Sequence, residues 1–416
     1  MLFREKAAVI VFICIAYILV IDHLTQWGNH LWEKNTGNHA RYAVMQKGKV
    51  GFINGRGRLV IPMNYEEGSS YSAKGLILAR SGKFWGFINH EAEVVVDFQY
   101  IWAKDFSQGL AAVARRQKGM FFPAFGFINE NGQEAIPLKF TQVKSFTSEG
   151  LAAVRKDLLW GYIGTDGNWM LNPAYDDADD FHQNMAAVKK SGKWGYIDTH
   201  GTWVSNPAYD EAGYFSQGVA PVKQNGLWGY IDLQGNWIVK PTYTEAHSLS
   251  EGFGLVKGYD TVGFVDHKGR LTFYAGNWIN ARDFSDGLAA VEVSSNSKNH
   301  YIGKWGYINK KGDFIIPPRF DWAWDFHGGL ARVGLTENDI RRGYVNKKGR
   351  MIWDPADWQQ STYFRRNIYL VAALGGLFYL FLLVRYIKWT RRIKKEAEEA
   401  RKVEQTRARP SPLKPY

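Results

Sequence analysis

Cysteine is nearly missing from this chain. Of its 416 residues only Cys14 is a cysteine, and it lies inside an apolar run. Disulfides, thiol catalysis and cysteine metal clusters are therefore excluded. Histidine is sparse and scattered: His182, His200, His247, His267, His300 and His327 fall at different places in the pattern described below and share no metal-ligand spacing. There is no phosphate-binding glycine loop, no His-Glu-x-x-His helix and no serine elbow. Adjacent acids such as Asp176-Asp177 and Asp179-Asp180 point to opposite sides of a strand, so no glycosidase-like pair is formed. The sequence nominates no catalytic, cofactor-binding or metal-ligating residue, and it reads as a non-enzymatic chain with no cofactor. Helical periodicity is also scarce between residues 41 and 355.

What is present is repetition. A string of apolar or aromatic residue, Gly, Phe or Tyr, Ile or Val, then usually Asn or Asp returns nine times, with its Gly at 51, 86, 126, 161, 195, 229, 263, 306 and 343. Four successive intervals are 35, 34, 34 and 34 residues. A fixed period of this size marks a repeat architecture. Fourteen residues after the Gly an aromatic recurs, as in Tyr65, Tyr100, Phe140, Tyr175, Tyr209, Tyr243 and Phe320. Proline stands just before it in Pro173, Pro207, Pro241 and Pro318, and Gly-Leu-Ala-Ala-Val or a variant follows at Gly109, Gly150, Gly218, Gly287 and Gly329.

Leu-Ala-Ala-Val and Trp-Gly-Tyr-Ile-Asp both read as strands. Asp or Asn followed three residues later by Gly, as in Asp198 with Gly201 and Asp232 with Gly235, reads as a tight turn. The single acid in each of these turns (Asp198, Asp232, Asp266) is accounted for by turn capping rather than calcium. The Gly beside the Trp needs its own cause: a bulge, or close approach of another group. The sequence predicts that the rings and Ile197 pack between neighbouring units and that Gly195 makes room for them. The competing reading is a ladder of exposed rings for sugar stacking.

These residues resemble the WG-repeat family, also called the KWG β-repeat, over about three quarters of the chain. The resemblance implies an all-β, largely bacterial module used for binding or scaffolding, with no chemistry assigned to it. Departures are Val50, Phe125, Val262 and Arg342 at the Trp position, and Ala92 in place of a turn Gly. The fold expected is an all-β array of about nine three-stranded antiparallel units over residues 41–358. It would be either an open β-solenoid-like stack or β-propeller-like. No strand is left over to clasp the first unit, which tilts the expectation towards an open or loosely closed array.

The ends differ. Residues 7–24 contain the uncharged run Ala7 to Ile21, and residues 368–387 contain the apolar run Ile368 to Val384. Both read as transmembrane helices, the first as a signal-anchor with a cleaved signal peptide as its rival. They are joined to the array by linkers at 25–40 and 359–367. Arg385, Lys388, Arg391, Arg392, Lys394 and Lys395 crowd after the second run. The positive-inside rule then puts residues 1–6 and 388–416 in the cytoplasm and the array in the periplasm, held to the bacterial inner membrane. The net charge is +12, of which +7 falls between Arg385 and Tyr416. The basic excess thus points to anionic lipid headgroups and not to nucleic acid. The tail from Trp389 reads as a helix with Lys394–Glu398 and Glu398–Lys402 pairs and a Pro-rich end.

Two segments break the period: Arg115 to Ala124 and Ser294 to Gly303. Insertions in repeat arrays often mark a functional face. Arg116, Lys118, Phe121 and Phe122 are the candidate partner-binding residues. The function expected is an envelope scaffold that binds a protein partner. A glycan-binding module, for peptidoglycan or an exported polysaccharide, is the alternative.

Overall fold

The computed structural model describes residues 39–72, 75–119, 121–294, 303–334, 342–356 and 381–399. They divide into a repeat unit, Asn38–Pro355, and a second unit that contains the C-terminal helix.

The repeat unit consists of nine four-stranded antiparallel sheets. Each is built as the motif demands. In the fifth, Met185–Lys190 pairs with Lys193–Asp198, which pairs with Trp203–Tyr209. Turn chemistry fixes both hairpins. The first uses Ser191 and Gly192 at positive φ. In the second, Asp198 Oδ1 accepts the N–H groups of His200 and Thr202 at 2.9 Å, and Gly201 sits at φ +82°.

Two features differ from the sequence expectation. Each unit has a fourth strand. In eight sheets it is a short piece following the outer strand of the preceding unit, such as Asp177–Ala178 or Glu211–Ala212. Two-residue strands have too little hydrophobic alternation to be seen in sequence. The array is also closed. Blade 9 packs on blade 1, with Tyr344 Oη donating to the Ala43 carbonyl at 2.7 Å and Tyr42 Oη to the Gly328 carbonyl at 2.6 Å. The Tyr71 and His327 rings stack at 5.8 Å across the same seam. The fold is thus a nine-bladed β-propeller, which corrects the leaning towards an open stack. A clasp strand is not needed, because side chains carry the closure.

The core lies between blades. Tyr162, Tyr196, Tyr230 and Tyr307 are fully buried. Each donates its hydroxyl to a carbonyl 17 residues ahead, on the next blade: Asp179, Gly213, His247 and Trp324. Burial of a tyrosine is tolerated because its polar tip finds this partner. The Gly beside the Trp does a different job from the one expected. A Cβ on Gly195 would lie 2.6 Å from the Ser205 carbonyl oxygen and 2.9 Å from the Asn206 carbonyl carbon. The outer strand bulges there, its register shifting between Trp194 and Tyr196. Gly195 therefore makes room for backbone, and the rings pack elsewhere.

The expected membrane spans are a second correction. Residues 7–24 and 368–380 lie outside the described residues. Among the described residues no helix is long and apolar enough to cross a membrane. The described helix, 381–399, carries nine charged residues out of nineteen, a load that a hydrocarbon core penalises heavily. The flanking transmembrane helices, and with them the inner-membrane placement of the array, are not supported. Within the helix Arg392 pairs with Glu396 at 2.8 Å and Lys395 with Glu399 at 4.0 Å. The Lys394–Glu398 pairing expected from sequence does not appear among the described ion pairs.

Candidate partner-binding face

Strand direction alternates within each blade, so the hairpins joining second and third strands all point to one face of the ring. The links from one blade to the next reach the same face, and salt bridges tie the two together. Lys193 pairs with Asp210 and Lys49 with Glu66, each 17 residues apart.

Most of these hairpins are closed by two turn residues, such as Lys47-Gly48, Ser191-Gly192 or Asn225-Gly226. Blade 3 instead carries the first period break. Arg115 is anchored to Glu134 at 2.7 Å, and Gln117 Nε2 donates to the Leu138 carbonyl at 2.9 Å. Beyond these anchors Arg116 and Lys118 are exposed. Phe121 and Phe122 are 87% and 73% exposed, with rings edge-to-face at 4.9 Å. All four candidate residues therefore stand in one loop, and two of them are aromatic rings held in water. The second period break lies mostly outside the described residues, at 295–302.

The same face carries apolar groups that sequence reading passed over. Leu158 is 75% exposed, Leu159 and Phe84 are also exposed, and Tyr259 is 86% exposed. The signal existed: Asp157-Leu158 occupies a turn where sister blades use a Gly. Blades 2, 3 and 4, which follow one another in the ring, thus each present exposed apolar side chains on this face: Phe84, Phe121 with Phe122, and Leu158 with Leu159. Such groupings are uncommon on isolated proteins and mark interaction sites.

The six basic residues Arg385, Lys388, Arg391, Arg392, Lys394 and Lys395 all lie on the 381–399 helix and are solvent-exposed. Trp389 and Ile393 on the same helix are exposed too. This helix belongs to the second unit.

A polar belt runs along the innermost segments of the blades. Lys144 Nζ meets Asp179 Oδ1 at 2.6 Å, and the Ser107, Ser250 and Ser285 hydroxyls each donate to a carbonyl of the next blade at 2.6 Å. Burial raises the carboxyl pKa of Asp105, Asp180 and Asp325 above the usual carboxylate range. His247 Nδ1 lies 3.0 Å from Asp283, and its Nε2 lies 2.9 Å from Glu245. The hydrogen bond to Asp283 raises the imidazole pKa against an opposing desolvation. Among the described residues no three His, Cys, Asp or Glu side chains gather to hold a metal ion.

The sugar-stacking ladder is not formed by the repeat rings. Trp160 and Trp305 are buried, and Trp85, Trp194 and Trp228 are half-buried beneath basic side chains, with Lys189 Nζ 6.0 Å from the Trp194 ring.

The model of the WG containing repeat matches residues 51–83, 85–118, 125–157, 160–194, 194–228, 228–257 and 305–335. The chain belongs to the WG-repeat family. No curated protein matches it. Among solved structures, a eukaryotic initiation factor is similar at 12% identity and TM-score 0.55, over 76% of this chain and 95% of that one. BamB from Moraxella catarrhalis is similar at 12% identity and TM-score 0.36, over 74% and 91%. At that identity the first likeness shows the fold alone, and the second carries no argument. The molecule is a WG-repeat β-propeller domain, an architecture consistent with a protein-interaction scaffold.

Proposed function

We propose that the WG-repeat propeller is a non-enzymatic scaffold that binds a protein partner through its hairpin-loop face. The observation that carries this reading is the Phe121–Phe122 pair, two edge-to-face rings exposed beside Arg116 and Lys118. Aromatic and Arg anchors surrounded by further apolar side chains are what protein interfaces use as energetic centres. Leu158, Leu159 and Phe84 add exposed apolar side chains on the neighbouring blades, so the contact would be broad. A partner with an apolar centre and an acidic rim would complement it. The rings of the repeat motif are spent on holding blades together, which leaves the loops to do the recognition.

The test is affinity capture with the intact chain and with a Phe121→Ser/Phe122→Ser variant, followed by mass spectrometry. A protein retained by the parent and lost by the variant is the expected result. Identical sets of bound proteins, or retention of glycan alone, would overturn the reading.

A further inference from the structure

Eight of the nine blades contain an inner strand with an apolar or Gly residue opposite one fixed position of the second strand, a Val in seven of them and Ala79, facing Gly68, in blade 2. Val143 pairs Val154, Ala178 pairs Val188, Ala212 pairs Val222 and Ala323 pairs Val333. The residue before it faces outward and pairs with the position after that Val. In blade 1 the corresponding strand, Arg41–Gln46, is paired differently. Its inner partner is Tyr71–Ser72, borrowed from the following loop; it pairs with Arg41 and Tyr42, and the Ala43 N–H donates to the Ser70 carbonyl at 3.1 Å, so the pairing stops short of Val44 and Met45. Opposite Val44 and Met45 the structure has a cavity of about 150 Å³, lined by Ala43, Val44, Met45, Gly68, Ser70 and Tyr344 among others.

Hydrogen-bond alternation shows what this cavity offers. Gln46 and Lys49 close the hairpin, so Met45, opposite Val50, turns its own N–H and C=O away from that partner and towards the cavity. In blade 3 the equivalent carbonyl, of Ala114, accepts Ile101 N–H at 3.0 Å, and that of Ala112 accepts Lys104 N–H at 2.9 Å. In blade 1 the second of these acceptors, Ala43, is occupied by the Tyr344 hydroxyl, which thus stands in for a missing backbone donor.

We infer that this seam is a strand-addition site that takes an extended segment of a partner protein. The eight filled copies define the segment's chemistry. The inward residue is small, for Ala103, Ala178, Ala246 and Ala323 are all buried. The outward residue matches what lies across from it. Glu211 faces Lys223 and pairs with it at 2.7 Å, and Glu245 and Lys257 do the same at 2.8 Å. Trp102 faces Ala114, and Trp322 faces Gly334. Cross-strand partners of this kind select one another. Blade 1 presents Met45, which is 53% exposed and uncharged. The segment fitted here carries an aromatic residue followed by Ala or Gly, and backbone pairing supplies the affinity. Arg332 and Arg342, which line the cavity together with Glu67, lie over the Trp324 ring of blade 9.

This inference rests on the scaffold reading and sharpens it by naming a peptide class. The probe is a fluorescein-labelled peptide with the sequence of residues 100–105, Tyr-Ile-Trp-Ala-Lys-Asp, titrated with the full chain and read by anisotropy. Saturable binding is expected, with at least a tenfold loss when the Ile amide is N-methylated or Trp is replaced by Glu. Met45→Lys should reverse the preference, so that the sequence of residues 209–214, Tyr-Asp-Glu-Ala-Gly-Tyr, becomes the tighter ligand. Phe121→Ser/Phe122→Ser should leave peptide binding unchanged even where it abolishes partner capture, which separates the two sites. No binding up to about 1 mM, equal binding of the N-methylated peptide, or loss of binding with the Phe pair would overturn the inference. Binding that appears only after residues 357–416 are removed would also overturn it, by assigning the slot to the chain itself.

Discussion

The hydroxyl of Tyr344 donates to the carbonyl of Ala43 at 2.7 Å, joining residues 301 positions apart in sequence. The same ring position in Tyr162, Tyr196, Tyr230 and Tyr307 bonds the next blade only 17 residues on. One local device therefore serves both ordinary blade contacts and ring closure. Tyr344→Phe removes the donor and leaves a part-buried carbonyl without it. The expected loss is about 1–2 kcal/mol in urea unfolding. Amide exchange should quicken first in blades 1 and 9, the two blades that this hydrogen bond joins. Uniform quickening across all blades would count against this.

Gly195→Ala places a methyl against backbone atoms that have no rotamer to adopt. The Ser205 oxygen at 2.6 Å and Asn206 carbonyl carbon at 2.9 Å must both shift. A destabilisation of about 1–3 kcal/mol is expected, read from the denaturation midpoint. A neutral result would show that the outer strand slides freely.

Ala92 gives the opposite sign. It holds φ +69° in a turn where the eight sister units use Gly. A left-handed L-residue costs about 1–2 kcal/mol, and the extra freedom Gly gains on unfolding returns about 0.5–1 kcal/mol. The strain term is larger, so Ala92→Gly should stabilise by roughly 0.5–1 kcal/mol. A lowered melting temperature would contradict it.

His247 makes stability pH-dependent. It faces Asp283 and Glu245, with Lys257 paired to Glu245 and Asp325 nearby. Its folded pKa is raised, chiefly by the hydrogen bond to Asp283. A raised pKa means that protonation favours the folded state. The contribution is complete below the ordinary histidine value near about 6.5. It fades as pH climbs through the raised one. His247→Gln should flatten the slope of stability above about pH 6.5. An unchanged slope would exclude His247 as its source.

The Phe121–Phe122 pair should be nearly silent in stability. Phe121→Ser/Phe122→Ser exposes no core, and a change within about 0.5 kcal/mol is expected by thermal melting. A larger loss would mean that the rings support the loop rather than a partner.

Much of the propeller was legible in the sequence because every unit repeats the same turn chemistry. Asp198 and Gly201 fix one hairpin by capping and by positive φ, and both are local effects visible in four residues. The Trp-Gly pair announced a close approach but not its object. Only the bulge at Trp194–Tyr196 shows that outer-strand backbone, not an aromatic ring, fills the space. Closure was not legible, since it depends on Tyr344 meeting Ala43, a contact with no short-range signal. The short strands were hidden for the reason that Asp177-Ala178 is too brief to carry a period. The apolar runs were read by length and hydropathy alone, whereas the described helix at 381–399 is set by its charged residues. At the candidate site, Phe121 and Phe122 were marked by a break in spacing. Leu158 was missed because the period around it is intact.

Ring closure is tested most directly by photo-crosslinking from position 327. His327 is exposed and its ring stacks on Tyr71 at 5.8 Å across the seam. With p-benzoyl-phenylalanine replacing His327 in the full chain, mass spectrometry should find an intramolecular crosslink to the peptide containing Tyr71. Crosslinks confined to blade 8, or formed only between separate chains, would show that the repeats do not close.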